Sequence, residues 1–208
     1  MINTINVTII DYGIGNIGSI ANMIRKSDFN PIIITKPEKL RESIKIILPG
    51  VGSFDHAMKT LNDDGWLNIL NEMVIEHKVP VLGICLGMQL MCKGSEEGVL
   101  PGLSWIDAEV KRFNPQVEEN LKIPHMGWNT ITPRNNSELL NSFEVEQRFY
   151  FVHSYHVVCN NPLDIDGTSS HGYEFVSAFH HENIYGVQFH PEKSHRFGMN
   201  LLNNFLQV

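Results

Sequence analysis

Residues 79–91 read VPVLGICLGMQLM, and the fold turns on them. An apolar run enters Gly83-Ile84-Cys85-Leu86-Gly87 and leaves as an apolar stretch of helical character. A strand that turns sharply into a helix with a reactive residue at its apex is a nucleophile elbow, here with cysteine in the usual place of serine. The turn demands a strained backbone, and small residues two before and two after the apex let neighbouring backbone approach. The following helix N-terminus favours the thiolate, the reactive form. A lone cysteine is often only a small buried hydrophobe. The flanking glycines favour Cys85 as a nucleophile, whereas Cys92, seven residues along, is assigned to the core.

Working outward from the elbow, residues 5–10 form a β-branched run, and Ile17, Ile20, Ala21 and Ile24 recur at the helical period within 16–26. PIIIT at 31–35 reads as a second buried strand, 37–43 as a polar helix, IKIILPG at 44–50 as a third strand, and 53–61 and 66–77 as helices. Continuously apolar strands alternating with helices predict a parallel sheet covered on both faces. Beyond residue 105 the pattern changes to short runs at 109–113, 128–132, 149–152, 156–159, 174–180 and 184–189, divided by Asn, Pro, Gly and Asp clusters, with a last helix at 197–206. The expectation is one α/β domain over 1–208, with a mostly parallel central sheet flanked by helices and a β-rich C-terminal half.

A cysteine nucleophile needs a base, and the base needs an orienter. In IYGVQFHPEKSH, His190 ends an apolar strand and Glu192 follows across Pro191. Were the segment near-extended, residues two apart would project to one side and the carboxylate would reach the imidazole. A histidine by itself is more often a satisfied core or surface residue, and ten histidines dilute any choice. The strand end and the acidic neighbour favour His190. IILPGVGSFDHAM supplies a third element, because Pro49-Gly50-Val51-Gly52 places flexible backbone between strand and helix, where N–H groups can gather round a developing negative charge. Together the three assemble an acyl-transfer site.

Composition narrows the alternatives. A hydrophobic fraction of 42% and a charged fraction of 19% suit a soluble globular chain of 208 residues. A net charge of -7 argues against sequence-independent binding to nucleic acid or to an anionic membrane. The three cysteines have no metal-ligand spacing and suggest no disulfide framework, so no metal and no cofactor are expected. The start has no signal-peptide pattern and no run reaches a membrane span, so a cytoplasmic location is expected.

PGVGSF, GICLGMQLM and GVQFHPEKS, in this order and at this separation, resemble the three sites of the class I (triad) glutamine amidotransferases. The resemblance covers essentially the whole chain and implies L-glutamine as substrate. It implies Cys85 as nucleophile, His190 as base and Glu192 as orienter. The backbone of Leu86 and of the Val51-Gly52 turn would form the oxyanion hole. Gly50, Gln89, His153, Ser154 and Tyr155 would contact substrate. Within the family, DYGIGNIGS, PHMGWN, YFVHSY and Lys193 resemble a branch whose glutaminase subunit passes ammonia into a (β/α)8-barrel synthase subunit. Asn16, Trp128, Tyr150 and Lys193 would then lie at that interface. PEKSHRFGMNLLNNF and GLSWIDAEVKRFN resemble instead a paralogous branch that feeds ammonia to a nucleotide-sugar amidotransferase of surface polysaccharide synthesis. Triad residues do not separate the two. A cysteine peptidase is disfavoured, because all three motifs match glutaminases.

One competing signal precedes the elbow. Gly13, Gly15 and Gly18 in DYGIGNIGS fall at the G-x-G-x-x-G spacing of a dinucleotide-binding turn. That reading needs an acidic residue about 20 residues on, at the end of the second strand. The strand instead ends in Thr35-Lys36-Pro37, with Glu38 beyond the proline. Gly13 and Gly15 fit better as a tight turn, and Gly18 as a close-packing position on the helix.

Overall fold

The apolar strands of the first half lie side by side and in parallel. The structure, a computed structural model, describes residues 5–114, 122–134, 137–140 and 146–208. Strands β1 (Asn6–Ile10), β2 (Asn30–Ile34), β3 (Ile46–Gly50) and β4 (Val81–Cys85) are joined through helices α1 (Ile17–Lys26), α2 (Phe54–Asp63) and α3 (Trp66–Asn71), and α4 (Leu86–Leu90) leaves β4. The second half holds β5 (Ala108–Arg112), β6 (His125–Pro133), β7 (Gln147–His153), β8 (Tyr155–Cys159), β9 (Ile165–His171), β10 (Tyr173–His181), β11 (Ile184–Val187) and α5 (His195–Gln207). All strands join one sheet in the order β2-β1-β3-β4-β11-β10-β9-β6-β7, with β8 attached to β10 and β5 to β8.

Pairing is parallel from β2 to β11 and antiparallel from β11 onward. Strand β4 therefore lies between β3 and β11, and every residue of β3 and β4 is buried. Strands in that position must be apolar on both faces, which is why their sequences show no alternation. Alternation survives in what they touch. Ile47, Leu82, Ile84 and Val187 pack beneath Ile20, Ile24, Leu202 and Phe205 of α1 and α5, whereas Leu48 and Val81 pack with Phe54, Leu61 and Leu70 of α2 and α3. The carboxyl ends of β1, β3, β4 and β11 consequently lie along one edge, where open α/β sheets collect their functional loops.

Several expectations need correction. PIIIT is an edge strand and not a buried one: Ile32 and Ile33 are 37% and 43% exposed, because β2 has a neighbour on one side only. The helix at 66–77 holds its α form only to Asn71 and opens into a wider π-helical turn at Glu72–Glu76, and 37–42 winds as a 3-10 helix. Strand β9, IDGTSSH, was not anticipated, since apart from Ile165 its residues are polar or Gly. It forms because β10 and β6 complete its backbone bonds on both sides, and its buried Asp166 accepts from Ser137 Oγ at 2.7 Å and meets His180 at 3.1 Å. Gly18 does not mediate close packing: a Cβ added there would meet nothing within 4 Å. Gly13 and Gly15 do make the turn, with φ of 82° and 140°. Among the described residues, no helix is long and apolar enough to cross a membrane.

Candidate active site

The elbow forms as its composition requires. Cys85 adopts φ 54° and ψ -110°, a conformation costly for any residue with a Cβ and found where surrounding packing enforces it. The enforcement is visible at the glycines. A Cβ on Gly87 would collide with the carbonyl oxygen of Leu48, one on Gly83 would come within 2.8 Å of Gly87 and Met88 backbone, and one on Gly50 within 2.7 Å of Gly87 N. Strand β3 thus presses directly on the first turn of α4. Cys92 is fully buried in the core, as expected.

His190 and Glu192 meet at this apex by a route other than the extended segment inferred from sequence. His190 itself is extended (φ -103°, ψ 97°), but Pro191–Lys193 winds as a 3-10 turn. The turn carries the carboxylate back so that His190 Nδ1 and Glu192 Oε1 lie 2.8 Å apart, with both side chains 1% exposed. Ser194 Oγ donates to His190 O at 2.6 Å, and His190 N donates to Tyr150 O at 2.9 Å, which together fix the imidazole's backbone. Among the described residues, His190 Nε2 is buried with no hydrogen-bond partner of good geometry, and Cys85 is the group it faces electrostatically. Burial alone would lower the imidazole's pKa, but hydrogen bonding and charge interaction with Cys85 and Glu192 outweigh it and raise the value to about 9. A base poised beside a sulfur and oriented by a carboxylate can activate the thiol and later protonate a leaving amine.

A cleft of about 450 Å³ opens over Cys85. Of the residues expected at the site it is lined by Val51, Gly52, Leu86, Gln89, His153, Ser154, Tyr155, His190 and Lys193. Gly52 has φ 98°, which bends the chain after β3 over the cleft. Gly50 departs from the expected substrate contact: it is buried beneath this turn against Gly87 and Leu86 and does not line the cleft.

His153 belongs to a locked polar chain. Its Nδ1 lies 2.7 Å from Tyr155 O and must donate, because a carbonyl only accepts, so its Nε2 accepts from His125 Nδ1 at 3.0 Å. His125 Nε2 in turn accepts from Asn129 Nδ2 at 3.1 Å. Both rings are neutral in this arrangement. Burial, with lesser charge effects from neighbouring histidines, lowers His125 to about 4 and His153 well below the ordinary histidine value.

Three contributors were missed at the sequence level. Glu97 lines the cleft, and its Oε2 accepts from Phe54 N at the start of α2 (2.9 Å). Its loop is tied down by Asp55, whose carboxylate accepts from Val99 N and Leu100 N at 3.0–3.1 Å. Tyr12, in the turn after β1, donates its hydroxyl to Pro49 O at 2.8 Å, and burial followed by the charge of Cys85 raises its pKa. His195 stacks on Trp128, with centroids 5.7 Å apart and planes 5° from parallel. Of these, only the aromatic hydroxyl inside the glycine turn offered a signal.

Beside the cleft mouth, Trp128 is 43% exposed, packs edge-on to Tyr150 at 6.3 Å, and Lys193 Nζ sits 5.6 Å over the Tyr150 ring. Three of the four residues expected at a partner surface are therefore contiguous. Asn16 starts α1, which packs against the Pro191–Lys193 turn. Among the described residues, no group of three or more His, Cys, Asp or Glu side chains is arranged to hold a metal.

The chain is similar to known proteins along nearly its whole length. The family described as "Glutamine amidotransferase class-I" matches residues 8–208. The chain is 50% identical to a protein of Methanococcus maripaludis named imidazole glycerol phosphate synthase subunit HisH 2, over 97% of this chain and 98% of the relative. It is 47% identical to imidazole glycerol phosphate synthase subunit HisH of Bdellovibrio bacteriovorus, over 97% and 100% of the two chains. Among solved structures, a PurLQS structure from Thermotoga maritima superposes with a TM-score of 0.75 at 16% identity, covering 98% of each chain. A glutamine amidotransferase from the same organism superposes at 0.68 and 18% identity, over 98% and 96%. These two likenesses establish the shared fold.

Proposed function

The chain belongs to the class-I glutamine amidotransferase family, and on that premise we propose that it is the glutaminase subunit of an imidazole glycerol phosphate synthase of histidine biosynthesis. The observation that carries the chemistry is the juxtaposition of the strained Cys85 with the buried His190–Glu192 pair. Cys85 Sγ attacks the side-chain amide carbon of L-glutamine as His190 takes the thiol proton. The tetrahedral oxyanion is met by backbone N–H groups of Leu86 and the Val51-Gly52 turn. Collapse breaks the C–N bond, and His190 delivers its proton to the departing ammonia. Water, activated by the same imidazole, cleaves the thioester and releases glutamate. Gln89, Glu97 and the His153-Ser154-Tyr155 segment hold the substrate, with Glu97 suited to the α-ammonium group.

Ammonia then passes to a synthase subunit docked on the face bearing Trp128, Tyr150 and Lys193. That subunit is a (β/α)8 barrel, which converts a phosphoribulosyl-formimino-carboxamide ribonucleotide into imidazole glycerol phosphate and an aminoimidazole carboxamide ribonucleotide. The names of relatives matched along nearly their full length favour this acceptor over a nucleotide sugar. Rescue of a histidine auxotroph that lacks this subunit tests the pathway, since a nucleotide-sugar branch protein would fail to restore growth. Cys85→Ala tests the chemistry: glutamate release and labelling by a glutamine-like electrophile disappear while co-purification with the synthase subunit persists. Glutamate release at the wild-type rate in that variant would overturn the assignment.

A further inference from the structure

Gln188 is fully buried two residues before His190, and its backbone N–H is bound to Ser177 O at 2.9 Å. Its side-chain amide lies between two residues of the site. Gln89 Nε2 donates to Gln188 Oε1 at 2.9 Å and to Tyr155 O at 3.2 Å, while Gln188 Nε2 donates to Cys85 Sγ at 3.8 Å.

The orientation of both amides follows from Tyr155. A backbone carbonyl accepts and never donates, so the Gln89 nitrogen must face it. The second proton on that nitrogen must go to an acceptor, which makes the Gln188 atom facing Gln89 its oxygen. The Gln188 nitrogen is then turned on the sulfur. Both protons of Gln89 are committed inward, and what its amide has left to offer a ligand is the oxygen Oε1. An acceptor at this place suits the –NH2 or ammonium group of glutamine and repels a carboxylate, whereas a flipped Gln89 would favour the product.

We infer that Gln188 is a positioning residue of the glutaminase site, holding Gln89 with its oxygen toward the substrate while directing an N–H at the nucleophile sulfur. Resting on the glutaminase reading above, this assigns one buried side chain to both the recognition and the activation of a single reacting centre. A donor on sulfur favours the thiolate over the thiol.

The test uses the complex with the synthase subunit and the variants Gln188→Glu and Gln188→Met. Three quantities are read: KM and kcat for glutamine, the pH profile of Cys85 alkylation by iodoacetamide, and the thermal midpoint. Gln188→Met removes both contacts, and its kcat/KM falls about 10- to 100-fold, as expected for loss of a buried hydrogen bond to a charged group. Its alkylation profile moves to higher pH. Gln188→Glu keeps the acceptor toward Gln89 and removes the amide donor, so KM returns to near the wild-type value while the alkylation profile stays displaced. Wild-type KM and alkylation profile in both variants would overturn the inference, as would a Gln188→Met activity that falls only with its folded fraction. Should Gln188→Met fail to fold, the isosteric Gln188→Glu decides through its alkylation profile alone. Absence of glutamate release by the wild-type complex would instead refute the glutaminase reading itself.

Discussion

His190 Nδ1 and Glu192 Oε1 are held 2.8 Å apart by a 3-10 turn that seals both side chains from solvent. The imidazole there binds its proton more tightly than a free histidine, with a pKa near 9, because Cys85 and Glu192 outweigh the opposing burial. A folded-state value raised above the unfolded one contributes stability that is complete below about pH 6.5 and lost as pH rises through 9. The thermal midpoint of the wild type should therefore exceed that of Glu192→Gln by a margin that shrinks between pH 6.5 and 9. Glutamate release by Glu192→Gln should fall about 10²- to 10⁴-fold, through loss of the correct tautomer. A margin that grows with pH would refute this account of the pair.

Gly87→Ala places a methyl group on the carbonyl oxygen of Leu48, a backbone atom with nowhere to move. The expected loss is about 3 kcal/mol or more of unfolding free energy, read from chemical denaturation. Gly18→Ala is the control. The position is helical and open, and the substitution should stabilise by up to about 1 kcal/mol.

The neutral His125–His153 pair predicts acid sensitivity. Both values are depressed by burial, so the unfolded chain binds protons that the folded chain refuses, and stability falls as pH drops from about 6.5 toward 4. His125 by itself should account for about 2–3 kcal/mol of the loss over that range, with His153 adding to it, measured by urea denaturation at successive pH values. His125→Asn should flatten the slope, at the cost of about 1 kcal/mol at pH 7 for the lost hydrogen bond.

Asp55 tests how Glu97 is held. Asp55→Ala frees the N–H groups of Val99 and Leu100 and loosens the loop that presents Glu97 to the cleft. Steady-state kinetics should give a KM for glutamine raised about 5- to 20-fold with kcat within about twofold. A fall in kcat alone would place Glu97 among the groups acting on the reacting atoms.

The sequence made the elbow legible because its chemistry is local: Gly83, Cys85 and Gly87 sit within five residues, and the two glycines are required by backbone crowding, from Leu48 at Gly87 and from the first turn of α4 at Gly83. The His190–Glu192 partnership was legible from spacing, though its geometry was not, since Pro191 turns the chain where an extended strand was expected. Glu97 stayed hidden because its role depends on an anchor 42 residues upstream, Asp55, with which it shares no periodicity. Strand β9 stayed hidden for a related reason: IDGTSSH owes its conformation to ladder partners on both sides and not to its own propensities. Gly18 erred in the opposite sense, since a motif-like spacing implied a contact that nothing in the fold makes.

The exposed strand β2 carries a safeguard. Asn30 N donates inward to Ile5 O, so along this strand the N–H groups of alternate residues face the neighbour and the others face outward. Pro31 falls on the outward side and has no N–H to give. The open edge thus offers a single outward donor within the strand, that of Ile33, where the exposed side chains of Ile32 and Ile33 would otherwise invite another chain to add on. Replacing Pro31 would restore a continuous template there, so the residue that interrupts an otherwise apolar PIIIT protects the protein from polymerising through its own sheet.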